Sequence, residues 1–206
     1  MAIFSRHVEK QNKSHANRQL IKSPAFSSLW QVFSDEQKYR ILDLGAASGA
    51  NIAFFSALRC KLFVGDVTPT ILSYQKSLTD DVPASLLLRD MLDLDDLSEL
   101  DLIMCWDIIN YLDTRLIEPF SAGLHQLMAK GGYLHAFIYT QKEMPAGPGT
   151  YQILDSSQMN VEYPAGSKIP GPGYALRELE RRMPGFTIKQ SRLLLSGMQE
   201  YIFTRQ

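Results

Sequence analysis

The chain has 206 residues, 45% of them hydrophobic, and a formal net charge of −1. That length suits one well-buried domain and is short for two, and the near-neutral charge excludes a broad nucleic-acid footprint. No apolar run approaches the roughly 18 residues that cross a bilayer, and Arg6, His7, Glu9, Lys10 and Lys13 stand where a secretory signal would need an apolar stretch, so a soluble cytoplasmic domain is expected.

Residues 1–22 are polar and aperiodic and read as a flexible arm, leaving 23–206 as a single domain. Ser23-Pro24 has the form of a helix start, with Ser23 as N-cap and Phe26, Leu29, Trp30 and Phe33 as the apolar face. A first strand over about Tyr39–Leu44 leads into the small-residue turn Gly45-Ala46-Ala47-Ser48-Gly49 and a helix from Ala50 to Leu58. Short apolar strands follow at Lys61–Gly65, Ala84–Leu88, Asp101–Cys105 and Tyr133–Tyr139, with helices from Thr68 or Pro69 to about Leu78 and from about Thr114 to Ala129. Residues 140–173 interleave five prolines with five glycines and read as an irregular insertion, a lid or a loop. A helix over Tyr174–Met183 and two β-rich runs, Phe186–Leu195 and Gln199–Thr204, complete the chain.

Strand and helix alternate at a spacing that predicts an α/β fold: a seven-stranded, mostly parallel sheet with helices on both faces and a C-terminal antiparallel hairpin. Cys60 and Cys105 sit in apolar segments and read as buried, reduced thiols, with no metal site expected.

In such a sheet a ligand lies beyond the carboxyl ends of the strands. The glycine turn, Asp66, Asp90 and Trp106-Asp107 end four successive strands. Asp66 follows Gly45 by about 21 residues, the distance at which an acid accepts hydrogen bonds from ribose hydroxyls. A dinucleotide fingerprint would need glycines where Ala47 and Ala50 stand, and no Gly-Lys-Ser/Thr follows to make a phosphate loop. Asp43, just before the turn, suits a cationic or zwitterionic ligand better than a pyrophosphate.

The ordered set resembles the class I S-adenosylmethionine-dependent methyltransferases, with a Rossmann-like sheet, over roughly Tyr39 to Arg205. Asp43-Leu44-Gly45-Ala46-Ala47-Ser48-Gly49 is similar to their first motif, with Ala47 in place of the middle glycine. Phe63-Val64-Gly65-Asp66 resembles the second, and Leu88-Arg89-Asp90-Met91 the third. The resemblance implies S-adenosylmethionine as cofactor, held by Asp43, Gly45, Ala46, Gly49, Asp66, Val67, Asp90, Met91 and Trp106. In it Asp66 would bind the ribose, Asp90 would meet the adenine amino group, and the fourth strand, ending at Trp106-Asp107, would flank the methionine end and the acceptor.

Simpler roles compete with these. Asp66 before Thr-Pro suits a helix cap, Asp90 opens an acidic stretch of a kind usually solvated, and His135 reads as a core histidine rather than a base. Trp106-Asp107-Ile108-Ile109 stands where amino-methylating relatives carry Asn/Asp-Pro-Pro-Tyr/Phe; there is no Pro-Cys nucleophile and no Lys-Asp-Lys-Glu set. A small-molecule acceptor is therefore expected over nucleic acid, with Asp107 and Tyr111 as candidate orienting or deprotonating groups and Tyr139 and Tyr151 closing over it. The alternative is a methyltransferase-like module that acts through a protein partner without methyl transfer.

Overall fold

The computed structural model describes residues 17–76, 88, 92 and 97–206. Its main sheet is built from β2 (Tyr39–Asp43), β3 (Cys60–Val64), β4 (Leu100–Trp106), β5 (Met128–Tyr139), β10 (Phe186–Leu193) and β11 (Met198–Arg205). These six lie in the order β10-β11-β5-β4-β2-β3. The β2–β3, β2–β4 and β4–β5 pairs are parallel; β11 runs antiparallel to both β5 and β10. The seventh strand expected at 84–88 falls outside the described residues except for Leu88, which is helical and buried.

Alternation along the strands sends side chains into two cores. Leu42, Ile103, Leu134 and Ala136 face one side, where α4 (Thr114–Leu127) packs Leu116, Phe120 and Leu124 against them. Asp113 starts that helix by accepting the Arg115 N–H at 2.9 Å. Ile41, Leu102, Met104, Phe137 and Ile202 face the other side, under α1 (Pro24–Trp30) and α2 (Gly49–Phe55). Two further helices are α3 (Thr68–Lys76) and α5 (Leu176–Arg182), and a 3-10 turn spans Ile108–Tyr111.

Two expectations are corrected. The 140–173 segment is not irregular throughout: it contains β6 (Glu143–Met144), β7 (Thr150–Asp155), β8 (Gln158–Tyr163) and β9 (Ile169–Pro170). Tyr151, Ile153, Met159, Val161 and Tyr163 are buried in strict alternation, a period of two that the surrounding prolines and glycines obscured. Nor is the whole of 1–22 an arm, since Asn17–Lys22 is β1, paired antiparallel with β8 from Asn17↔Tyr163 to Lys22↔Gln158. Its partner lies some 140 residues away, so no local pattern announces the pairing. The resulting β1-β8-β7 sheet covers the second core, a place expected to hold helices alone.

Ser23 does not cap α1 with its side chain. Its hydroxyl instead donates to Glu200 on β11, and the Glu200 carboxylate accepts the Ala25 N–H at 3.0 Å and the Phe26 N–H at 2.9 Å. His135 Nε2 lies 3.0 Å from the same carboxylate, so a buried acid from a distant strand caps this helix. Cys105 is buried, whereas Cys60 is only partly so, and both are free thiols.

Candidate functional site

The site grows from the end of β2. Asp43 is buried, and both its oxygens are taken by this chain's own donors. Oδ1 accepts the Gly45 N–H at 2.9 Å and the Trp106 indole N–H at 2.6 Å, while Oδ2 accepts the Asn51 amide at 2.9 Å. Burial pushes the Asp43 carboxyl above its usual range, and these three hydrogen bonds only partly offset it. A Cβ on Gly45 would come within 2.9 Å of Trp106 Nε1, so glycine is required there by close approach. Gly49 has no such constraint; an added Cβ would meet nothing within 4 Å. Ala46 is exposed beside it, and the buried Ser48 hydroxyl has no hydrogen-bond partner.

Asp66 is exposed just past β3 and accepts the Thr68 N–H at 3.1 Å, so it does cap the start of α3. It also lines one cleft with Gly45, Ala46 and Trp106, walled by Pro148, Gly149 and Thr150 of the inserted segment. Val67 is buried behind Asp66 and belongs to the core rather than to the cleft wall. Asp90 and Met91 lie outside the described residues.

At the end of β4 the pairing with β5 slips between Met104 and Trp106, and Trp106 takes a positive φ of 51°. Such a slip re-aims a side chain, and positive φ in a bulky residue costs on the order of 1–3 kcal/mol. The indole is turned over Gly45 and stacks on Tyr151 of β7, with ring centroids 4.8 Å apart and planes 8° from parallel. Trp106 therefore lies on the glycine turn itself.

Asp107 follows, fully buried, and both its oxygens accept the Gly149 N–H at 3.2 Å. Burial drives its carboxyl up to about 7, against the opposing hydrogen bonds from Gly149 and Tyr151. Tyr111, Tyr139, Tyr151 and Tyr163 surround this acid, and burial followed by its charge pushes all four phenols upward, so they stay protonated at neutral pH. The Tyr111 hydroxyl donates to the Pro145 carbonyl at 3.2 Å, and the buried Tyr139 hydroxyl has no partner within hydrogen-bond geometry. Asn110 fixes the strand ends: its amide donates to the Phe137 carbonyl at 2.8 Å and accepts the Tyr139 N–H at 2.8 Å.

The structure thus brings together Asp43, Gly45, Ala46, Asp66, Trp106 and Asp107. It adds Asn51 and Gly149, which sequence reasoning missed. The one available signal for Asn51 was a polar residue on the buried face of the helix after the turn. Among the described residues, no group of His, Cys, Asp and Glu could hold a metal ion, and no helix is long and apolar enough to cross a membrane.

No protein family and no curated protein matches this chain by sequence. Solved structures do match. An S-adenosylmethionine-dependent methyltransferase from Clostridium acetobutylicum superposes with a TM-score of 0.53 at 13% identity, over 90% of this chain and 92% of that one. A Pyrococcus horikoshii protein gives 0.52 at 10% identity, over 89% of each chain. A structure described as concerning the conversion of a disulfide bond into a thioacetal group during echinomycin biosynthesis gives 0.51 at 15% identity, over 90% of this chain and 83% of that one. At such identities the likeness is one of architecture: the chain has the fold of the class I S-adenosylmethionine-dependent methyltransferases.

Proposed function

We propose that this chain is an S-adenosylmethionine-dependent methyltransferase acting on a small molecule. One observation carries the reading: Gly45 and Ala46 of the glycine turn, Asp66 after β3 and Trp106 at the end of β4 line a single cleft at the carboxyl ends of parallel strands. In this reading Asp90 would meet the adenine amino group and Met91 would pack beside the ring.

In kind, the residues fit the cofactor. Asp66 is free on its outer side to accept ribose hydroxyls, the unpartnered Ser48 hydroxyl sits at the turn, and the carboxylates Asp43 and Asp66 favour a sulfonium cation. The room is short, because the cleft measures about 100 Å³, below the roughly 300 Å³ at which small-molecule pockets begin. Bound there, the cofactor would supply an electrophilic methyl group. Gly45, Ala46 and Gly49 would let it approach the backbone, and the inserted sheet would exclude water. Asp107, buried behind the cleft wall at Gly149, would have to be uncovered there to orient the acceptor and take its proton where one must leave, a task suited to a carboxyl near 7. Tyr111, protonated, would orient the acceptor by donating to it in place of the Pro145 carbonyl.

Calorimetric titration with S-adenosylmethionine, and separately with its demethylated product, tests this. Micromolar binding is expected, weakened by about 1.5–3 kcal/mol in Asp66→Ala through loss of charged hydrogen bonds. Binding of neither nucleoside by the folded protein would overturn the reading and leave a scaffold that works through protein partners. Unchanged affinity with lowered stability in Asp66→Ala would reduce Asp66 to a helix cap.

A further inference from the structure

The shortage of room has a structural cause. The Trp106 indole occupies the surface of the glycine turn that a ligand would have to touch, with its Nε1 only 2.9 Å from where a Gly45 Cβ would lie. It is held there by the 2.6 Å hydrogen bond to Asp43 and by the stack on Tyr151. Three further contacts join the same inserted segment to the site. Asn51 accepts the Ile153 N–H at 2.8 Å and donates to the Tyr151 carbonyl at 3.2 Å, and Asp107 accepts the Gly149 N–H.

We infer that Trp106 is a gate: its indole seals the cofactor cleft in the free protein and must leave the turn, together with its Tyr151 contact, before S-adenosylmethionine enters. This rests on the cofactor reading above. The register slip and the positive φ at Trp106 put the pivot at that residue, at a strand end whose backbone is already strained. Once the indole leaves, Asp43 Oδ1 has only the Gly45 N–H, and an acceptor site opens toward the ligand's cationic end. The closed state lowers the apparent affinity by the fraction of molecules that are open, so weakening the seal strengthens binding.

The chain has two tryptophans, Trp30 and Trp106, so Trp30→Phe makes Trp106 the sole indole reporter. Titrating that variant with S-adenosylhomocysteine should shift the Trp106 emission to the red and increase its quenching by acrylamide, with the midpoint found by calorimetry. In a second variant, Trp106→Phe in the otherwise native chain loses the donor to Asp43 and should bind at least about 10-fold more tightly. Calorimetric binding with unchanged emission and quenching overturns the gate and leaves the cofactor reading standing. Equal or weaker binding by a folded Trp106→Phe also overturns the gate. Binding by neither the native chain nor Trp106→Phe overturns both.

Discussion

Asn51 joins the glycine-turn helix to the inserted sheet by accepting the Ile153 N–H at 2.8 Å, while its amide donates to Asp43 at 2.9 Å. Replacing it with leucine keeps the branching and the number of side-chain heavy atoms and removes every one of these bonds, leaving a buried amide and a buried carboxylate oxygen unpaired. Asn51→Leu should lose about 3 kcal/mol of unfolding free energy in urea titration. The exposed neighbour Ile52, changed to alanine, should lose under about 1 kcal/mol.

Asp107 should make the protein less stable as pH rises. Burial raises its folded pKa to about 7 from an ordinary 3.8, so the folded state binds the extra proton between those values. Its contribution is complete below about pH 4 and is lost as pH climbs through 7, a fall of about 2–4 kcal/mol. Asp107→Asn keeps an acceptor for the Gly149 N–H and carries no charge. The difference in unfolding free energy between variant and native chain should therefore grow in the variant's favour from pH 5 to pH 8. A constant difference would place the carboxyl's titration elsewhere.

Glu200 should behave in the opposite sense. Burial pushes its carboxyl up, but the donors from His135, Ser23 and Ala25 outweigh that and hold it below its ordinary 4.5. The stability it adds is present above about pH 4.5 and is lost as pH falls through the lower folded value. Glu200→Ala strands the Ser23, Ala25, Phe26 and His135 donors in the core and should cost at least about 3 kcal/mol by chemical denaturation near pH 7. The cost should shrink toward pH 3.

These groups mark where the sequence was legible. The strand–turn–helix around Gly45 and the carboxylates ending the parallel strands could be read because each is written within a few consecutive residues. Asp66 was readable as both cap and cleft residue, and it stands at both. What stayed hidden rests on long-range pairing. Glu200 caps a helix 174 residues upstream at Phe26, and β1 finds its partner in β8 across most of the chain. Trp106 was expected to flank the ligand. That its own ring lies on the turn follows from one slipped register and a stack with Tyr151, neither of which leaves a local mark.

The two glycines of the turn, equivalent in the sequence motif, should part under mutation. An alanine methyl at Gly45 would lie 2.9 Å from Trp106 Nε1, 3.1 Å from its Cδ1 and 3.2 Å from Asp43 Oδ1, so the indole must yield. Gly45→Ala should lose about 1–3 kcal/mol through overpacking, and the Trp106 emission should move to the red without any ligand. At Gly49 the methyl enters open space in the first turn of α2. Gly49→Ala should gain about 0.4–1 kcal/mol, because alanine loses less backbone freedom on folding. Parallel urea titrations of the two variants check both signs at once, and equal losses would show that the turn is crowded along its whole length rather than at the indole.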